Sequence, residues 1–340
     1  MNDRTVLITG ISGFIAKHCA LEMLTAGYRV RGTVRSLEKS AEVRETLSKH
    51  VDVSRLEFVP ADLLSDGGWK NAVAGCEFVL HLASPFPTSQ PKDAQVLIRP
   101  AVEGTLRVLR AASDAGVTRM VQTSSTVAVV YGHPRDRTAP FTEADWTQTD
   151  QPGVTPYAIS KTLAEKAARD FIAQDRSGMW FSSVNPGFVL GQALDRDIGA
   201  SANIIQMMLK GKYPGCPRLA LPCVDVRDVA RMHRQVLESD APSGGRYLCV
   251  SGSLWLVDVA RAIRAELGPV ARKVPSRELP DWAVRMAALF DPTVRQIVHE
   301  LGRDVQVDNT LTRRVLGTSF VPATAAAATM ARSLVDLGLA

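Results

Sequence analysis

Two residues that could move a proton, Tyr157 and Lys161, stand four positions apart in the stretch TPYAISKTLAEKAA, residues 155–168. Thr155 and Pro156 are typical of a helix start, where a side-chain cap and a missing N–H both fit. On such a helix the pair shares one face. A nearby ammonium and the positive end of the helix favour a phenolate, so we expect the tyrosine pKa to fall from about 10 toward neutrality. Such a tyrosine could protonate an alkoxide, although Tyr-x-x-x-Lys also occurs in ordinary amphipathic helices.

A hydroxyl that could hold a substrate oxygen follows the apolar run RMVQTSS. We expect Ser125 to take this role, with Ser124 as the alternative. If the run is a strand of a parallel sheet, its carboxyl end lies near the start of the following helix, and the serine, tyrosine and lysine converge. The three side chains then predict proton transfer to a substrate oxygen beside a hydride carrier.

A glycine turn, TGISGFIA, joins the first predicted strand to the first predicted helix. Gly10 and Gly13 let the backbone turn sharply and approach a pyrophosphate, which would rest on the helix N-terminus. Ala16 stands at the third position, where a small residue is needed for packing. The context of strand, turn and helix favours dinucleotide binding over a plain glycine turn.

The end of the second predicted strand, in RGTVRSLEKS, carries Arg35 and Lys39 and has no acid before Glu38. An acid there bonds the ribose 2′-OH of NAD, whereas a guanidinium can bind the 2′-phosphate of NADP. The pattern favours NADP, with a solvated loop arginine as the alternative. After the third strand, Asp62 could accept from the adenine amino group, with Leu63 against the ring. The small residues of HLASP let the backbone pass beneath the nicotinamide ribose.

Strand-length apolar runs alternate with helical patterns through the first 185 residues. The predicted strands are TVLITG, YRVRGTVR, LEFVPADL, CEFVLHLAS, RMVQTSS and WFSSVNPG, and the helices lie near 13–26, 40–49, 94–115 and 156–168. This alternation predicts an α/β fold, a Rossmann-type doubly wound parallel sheet with helices on both faces. Ligands bind such sheets at the carboxyl ends of the strands, and the motifs above follow those ends.

The pattern loosens after Pro186. Helices are expected near 201–211, 225–238 and 254–266, and GRYLCV is a late strand. We therefore expect a smaller, mainly helical C-terminal substrate lobe. The predicted division is an NADP-binding domain at 1–185, to which 222–252 returns, and a substrate lobe made of 186–221 and 253–340.

Composition excludes several classes of protein. Hydrophobic residues make up 46% and charged residues 22%, as in soluble globular proteins. The net charge of +5 is spread among acids, so we expect no nucleic-acid partner. Five cysteines without C-x-x-C spacing or a Cys/His cluster indicate reduced thiols, a cytoplasmic location and no metal site. No apolar stretch reaches about 18 residues, so we expect no membrane span.

As a set, the motifs resemble an extended short-chain dehydrogenase/reductase, of the branch with dihydroflavonol 4-reductase, cinnamoyl-CoA reductase and related aldehyde and ketone reductases. The stretches that carry the resemblance are TGISGFIA, GTVRS, ADLLSDGGW, HLASP, RPAVEGTLRVLRAA, TSST, YAISKTLAEKAA, NPGFVLG, VDVRDVA and DNTLTRRVLG. It implies NADPH-dependent reduction of a small-molecule carbonyl substrate to an alcohol. In it, Tyr157 is the proton donor, Lys161 binds the nicotinamide ribose, and Ser125 orients the carbonyl. We expect the protein to be a monomer or a homodimer.

With the motif residues above, the resemblance implies two sets of site residues. The cofactor set is Gly10, Ser12, Gly13, Phe14, Ile15, Arg35, Lys39, Asp62, Leu63, Leu82, Ala83, Ser84, Thr123, Tyr157, Lys161, Pro186, Gly187, Val189 and Ser201. The substrate set is Phe86, Ser125, Val130, Tyr131, Met207, Met208 and Pro222. Core packing is the alternative for the two methionines. Val130 and Pro222 replace the Asn and Gln with which dihydroflavonol reductases bind flavonoid hydroxyls, so we expect a mainly apolar substrate.

Two other functions stay open at this point. A nucleotide-sugar epimerase or dehydratase of the same superfamily would use NAD and carry an acid after the second strand, where this chain has Arg35. A non-catalytic NADP-sensing regulator would typically lack the Tyr-x-x-x-Lys pair, which is intact here.

Overall fold

A seven-stranded parallel sheet forms the centre of the molecule. The computed structural model describes residues 3–85 and 93–340. Side by side, the strands are β3 (Leu56–Pro60), β2 (Arg29–Val34), β1 (Thr5–Thr9), β4 (Phe78–His81), β5 (Arg119–Thr123), β6 (Trp180–Pro186) and β9 (Arg246–Cys249). β1 and β4 are paired, but the chain leaves them toward opposite faces of the sheet, so a crevice forms at the carboxyl ends of these two strands.

Helices cover both faces of this sheet. One face carries α1 (Phe14–Thr25), α2 (Glu38–Ser48) and α7 (Val226–Glu238), and the other carries α3 (Trp69–Val73), α4 (Gln95–Asp114) and α5 (Pro156–Gln174). Successive strand residues point to opposite faces. Val6 and Ile8 of β1 therefore join the core beneath α1, whereas Leu7 joins the core beneath α4.

A second, three-stranded sheet stands beside the first. It consists of β7 (Phe188–Leu190), β8 (Ala220–Asp225) and β10 (Gly252–Trp255). β8 runs parallel to β7 and antiparallel to β10. Since β7 follows β6 after one residue, Gly187, this small sheet lies next to the carboxyl end of β6.

The C-terminal region is mainly helical. Its helices are α8 (Leu256–Leu267), α9 (Asp281–Ala287), α10 (Pro292–Ile297), α11 (Thr310–Leu316) and α12 (Ala323–Asp336). Another helix, α6 (Ala200–Leu209), lies in the segment between β7 and β8. Three prolines mark helix starts: Pro280 and Pro322 are N-cap residues, and Pro292 is the first residue of α10. The predicted fold class is confirmed. The proposed domain boundaries stay a prediction, and 222–252 contributes β9 to the main sheet but part of β8 to the small one.

In the described ranges, no helix combines the length and the apolar character that crossing a membrane requires.

Candidate active site

The first turns of α5 place Tyr157 and Lys161 at the end of β5. Thr155 caps the helix, because its Oγ1 accepts a hydrogen bond from the N–H of Ala158 at 3.2 Å. Lys161 is buried, and its Nζ lies 3.5 Å from the carbonyl oxygen of Thr123, the last residue of β5. The predicted helix start is therefore present, and the lysine is directed at the sheet.

Ser125 lies beside Tyr157, and the two side chains are hydrogen-bonded. The Ser125 hydroxyl also lies 3.4 Å from the carbonyl oxygen of Pro186, to which it can donate. Ser124, the alternative, is buried and donates instead to Glu165 Oε2 at 2.6 Å. The geometry thus brings Ser125, rather than its neighbour, to the tyrosine.

The protonation states differ from the expectation for Tyr157. Burial raises the pKa of this tyrosine to about 12, and the hydrogen bond from Ser125 only partly opposes the rise. Burial lowers the pKa of Lys161 to about 8, against the pull of the Glu165 carboxylate. The predicted fall of the tyrosine pKa toward neutrality is therefore wrong for the protein alone, because loss of hydration outweighs the hydrogen bond from Ser125. Near pH 7 Tyr157 carries its proton.

The glycine turn between β1 and α1 is closely packed. Gly10 has a φ of 65°, and its N–H donates to Thr33 Oγ1 at 2.8 Å. A Cβ on Gly10 would lie 3.1 Å from both Cα and Cβ of Ala83. Gly13 is the N-cap of α1, and no described side chain caps the free N–H groups at the start of this helix. A left-handed turn and an uncapped helix start fit a pyrophosphate.

One hydroxyl joins this turn to the end of β4. Thr9 Oγ1 accepts from the N–H groups of Leu82 at 3.0 Å and Ala83 at 2.9 Å, and lies 2.9 Å from His81 Nδ1. Burial, with a smaller contribution from the charge of Lys161, lowers the pKa of His81 to about 3. The histidine is therefore neutral and orders the strand end.

The predicted adenosine-side residues lie where β2 and β3 end. Arg35 and Lys39 are both exposed there, and Lys39 Nζ lies 3.9 Å from a carboxylate oxygen of Glu42. Asp62 Oδ1 accepts from the N–H of Leu64 at 2.9 Å, and no described residue donates to its second oxygen. Leu63 packs against Gly104, where a Cβ would come within 2.9 Å of the leucine Cβ.

Two close contacts at glycines occur on the segments that follow β6. A Cβ on Gly187 would lie 2.2 Å from the carbonyl oxygen of Pro222. Gly199, the N-cap of α6, lies against Phe14, so Ser201 in the first turn of α6 comes near the start of α1. The other predicted cofactor residues on these segments are Ser12, Ile15, Ser84, Pro186 and Val189.

The predicted substrate residues do not all gather in one place. Val130 is buried in a small cluster that Tyr131 joins. Burial, with smaller contributions from Glu300 and Tyr157, raises the pKa of Tyr131 against the opposing charge of Arg303, and the contribution of Tyr157 places the two phenols near each other. Pro222 is buried in β8, Phe86 lies outside the described residues, Met207 is half-buried, and Met208 is fully buried in the main core. For Met208 the structure favours the packing alternative.

Sequence reasoning missed a buried polar group behind the catalytic candidates. Glu165 lies in α5 one turn beyond Lys161, and Asn185 and Arg246 donate to its carboxylate at 2.9 and 2.7 Å. A glutamate four residues after the lysine on the same helix face was the available signal. No group of three or more metal-ligating side chains occurs among the described residues.

Comparison with known proteins identifies the family of the chain. The family model described as the NAD dependent epimerase/dehydratase family matches residues 6–249. The ketoreductase azaE of Aspergillus niger is 34% identical over 335 residues, which cover 93% of each chain. Cinnamoyl-CoA reductase 1 of Oryza sativa subsp. japonica is 36% identical over 271 residues, 78% of this chain and 76% of the relative.

Among solved structures, the NADPH complex of Gre2 from Candida albicans aligns with a TM-score of 0.81 at 28% identity. The alignment covers 98% of this chain and 99% of that one. The predicted resemblance is therefore confirmed. On the evidence of its parallel sheet, its glycine turn and these matches, the chain belongs to the NAD dependent epimerase/dehydratase family, as an extended short-chain dehydrogenase/reductase.

Proposed function

We propose that this protein is an NADPH-dependent reductase that converts aldehyde or ketone carbonyls of small molecules to alcohols, with Tyr157 as the proton donor. The observation that carries the proposal is the hydrogen bond between Ser125 and Tyr157 at the carboxyl end of β5, with Lys161 one turn farther on. The reductase names of the relatives, and the NADPH bound to Gre2, support the reaction class.

The residues present fit NADPH. The uncapped start of α1 and the turn at Gly10 suit the pyrophosphate, and exposed Arg35 suits the 2′-phosphate. Asp62 and Leu63 are proposed at the adenine, and Lys161 at the nicotinamide ribose. When bound, NADPH supplies the hydride that the carbonyl carbon receives.

The protein's own part is to hold the carbonyl and deliver a proton. The Ser125 hydroxyl donates to the substrate oxygen and orients it. Tyr157, protonated at neutral pH because burial keeps its pKa near 12, gives its phenolic proton to that oxygen as negative charge develops there. The ammonium of Lys161 stabilises the phenolate that remains.

The proposed substrate is mainly apolar. Val130 and Pro222 are buried side chains without polar atoms, and Tyr131 lies near Tyr157. Apolar side chains at these positions offer no partner to the hydroxyls of a flavonoid. A monomeric or homodimeric state and a cytoplasmic location stay predictions. The epimerase alternative has less support because Arg35, rather than an acid, follows β2.

The test is a panel of aldehydes, α-diketones, β-ketoesters and aryl ketones, followed by NADPH absorbance. For the best substrate, Tyr157→Phe should lower kcat by about 10²–10⁴-fold while NADPH still binds, because only the phenolic O–H is lost. Tyr213→Phe, the same change at an exposed tyrosine outside the site, is the matched control. The proposal fails if no carbonyl consumes NADPH, or if Tyr157→Phe keeps wild-type turnover.

A further inference from the structure

A buried carboxylate lies one helical turn beyond Lys161. The side chain of Glu165 is 0% exposed, and it lies on the same face of α5 as Tyr157 and Lys161. Its Oε2 accepts from Ser124 Oγ at 2.6 Å and from Asn185 Nδ2 at 2.9 Å. A charge this deep is tolerated only when several donors replace its water. The position of each donor is therefore tied to that of the carboxylate.

Two of these donors adjoin Ser125. Ser124 precedes it in the chain, and Asn185 Nδ2 also donates to the Ser125 carbonyl oxygen at 3.2 Å. Pro186, the next residue of β6, lies with its carbonyl oxygen 3.4 Å from Ser125 Oγ. Glu165 thus joins the serine end of β5 and the end of β6 to the helix that carries the tyrosine and the lysine.

Arginines hold the other carboxylate oxygen. Arg246 Nε donates to Glu165 Oε1 at 2.7 Å, and Arg169 donates at 3.3 Å. The Arg246 guanidinium also stacks on the Trp146 ring at 3.7 Å, which fixes its orientation. Burial raises the pKa of Glu165, but the two arginines outweigh it and the net shift is downward. The group is therefore a carboxylate at neutral pH.

The charge around Lys161 depends on this carboxylate. Among the described residues, the groups around the lysine are Glu165 on its own helix, His81 on β4 and the Thr123 carbonyl on β5. Tyr157 lies one turn before the lysine on the same helix face. The histidine is neutral and the tyrosine protonated, so the carboxylate is the one negative charge among these groups. Without it, none of these groups would carry a negative charge to balance the lysine.

We propose that Glu165 is a positioning residue for carbonyl reduction: its carboxylate fixes the serine end of β5 against α5 and keeps Lys161 cationic beside Tyr157. The inference rests on the proposed function, since reduction is the reaction being positioned. A purely structural ion pair would hold α5 to the sheet and affect stability alone.

The test compares Glu165→Gln with the wild type from pH 6 to pH 10, by kcat/KM for the best carbonyl substrate and by the Kd of NADPH from fluorescence. Glutamine keeps the shape and removes the charge. We expect kcat to fall about 10- to 100-fold, because catalytic groups are displaced. We also expect the alkaline limbs of both profiles to move down by about one pH unit or more, because the lysine loses its counter-charge.

Asp228→Asn is the matched control, because Asp228 is another buried carboxylate paired with an arginine, Arg231, but lies on α7. It should lower the Tm and leave both alkaline limbs in place. If the alkaline limbs of the kcat/KM and Kd profiles of Glu165→Gln coincide with those of the wild type, the electrostatic part of the inference is wrong.

If Glu165→Gln does not fold, Ser124→Ala removes a single donor and no charge. It should lower kcat and leave the limbs unmoved, and wild-type kcat in this variant would overturn the positioning part. If the wild type reduces no carbonyl compound, the proposed function is wrong, which is a separate outcome. The pH dependence of NADPH binding would still decide the role of Glu165.

Discussion

Replacing Arg35 by alanine should remove most of the preference for NADPH over NADH. The side chain is exposed just beyond β2, at the sheet edge where the adenosine ribose of a bound dinucleotide would lie. The 2′-phosphate is the one group by which the two cofactors differ. A guanidinium that contacts it should therefore contribute to NADPH binding and leave NADH binding unaffected.

The size of the effect follows from the charge and the exposure. A hydrogen bond to a charged group contributes about 1.5–3 kcal/mol, and solvent around an exposed arginine favours the lower end. At about 1.4 kcal/mol for each tenfold change, the wild type should prefer NADPH by about one to two powers of ten in kcat/KM. Lys39 stands nearby, with its Nζ 3.9 Å from Glu42, and should retain a small part of that preference.

The assay is kcat/KM for NADPH and for NADH with one carbonyl substrate, at low and at high salt. Arg35→Ala should weaken NADPH alone, and the wild-type preference should shrink at high salt, because ions screen an exposed contact. Arg261→Ala, which removes a surface arginine of α8 that is 65% exposed, is the control and should change neither cofactor. Equal use of both cofactors by the wild type, or equal losses in Arg35→Ala, would refute the assignment.

Two further predictions concern stability. Burial lowers the pKa values of three histidines to about 4, 3 and 4; they are His18, His81 and His233. Below pH 6.5 the unfolded chain binds protons that the folded chain does not, so the free energy of unfolding should fall by about 4 kcal/mol per pH unit toward pH 4. Urea unfolding at several pH values measures this slope. Because His233→Gln removes one of the three histidines, it should reduce the slope by about one third. An unchanged slope in this variant would contradict a lowered pKa for His233. Gly187→Ala places a Cβ 2.2 Å from the Pro222 carbonyl oxygen, and the overpacking should cost about 1–3 kcal/mol and lower kcat. Gly252→Ala, whose Cβ meets no described atom within 4 Å, should keep both Tm and kcat, and wild-type values for Gly187→Ala would show that the backbone yields freely.

Local features of the chain were predictable from the sequence because their causes lie within a few residues. Thr155 and Pro156 mark the start of α5, and helix periodicity alone puts Tyr157 and Lys161 on one face. Gly10 adopts the left-handed conformation that its place in the turn requires. The buried, near-continuous apolar strands predicted a parallel sheet with helices on both faces, and that is the observed fold.

Packing between distant segments decided what the sequence left open. The choice between Ser125 and Ser124 depended on which hydroxyl meets Tyr157 and which meets Glu165, and both partners come from a helix more than 30 residues away. The methionine at 208 is a core residue because the assembled helices enclose it.

Burial in the assembled fold also set the protonation states. The sequence alone determined the helix, the turn and the spacing of Tyr157 and Lys161, and from spacing we expected a lowered tyrosine pKa. Only the tertiary structure removes water from that phenol, which raises its pKa to about 12. Only the tertiary structure brings Arg246 to Glu165, 81 residues earlier in the chain. Residue types and their spacing determine features that depend on neighbouring residues in the chain. Hydration and long-range partners depend instead on how the whole chain packs.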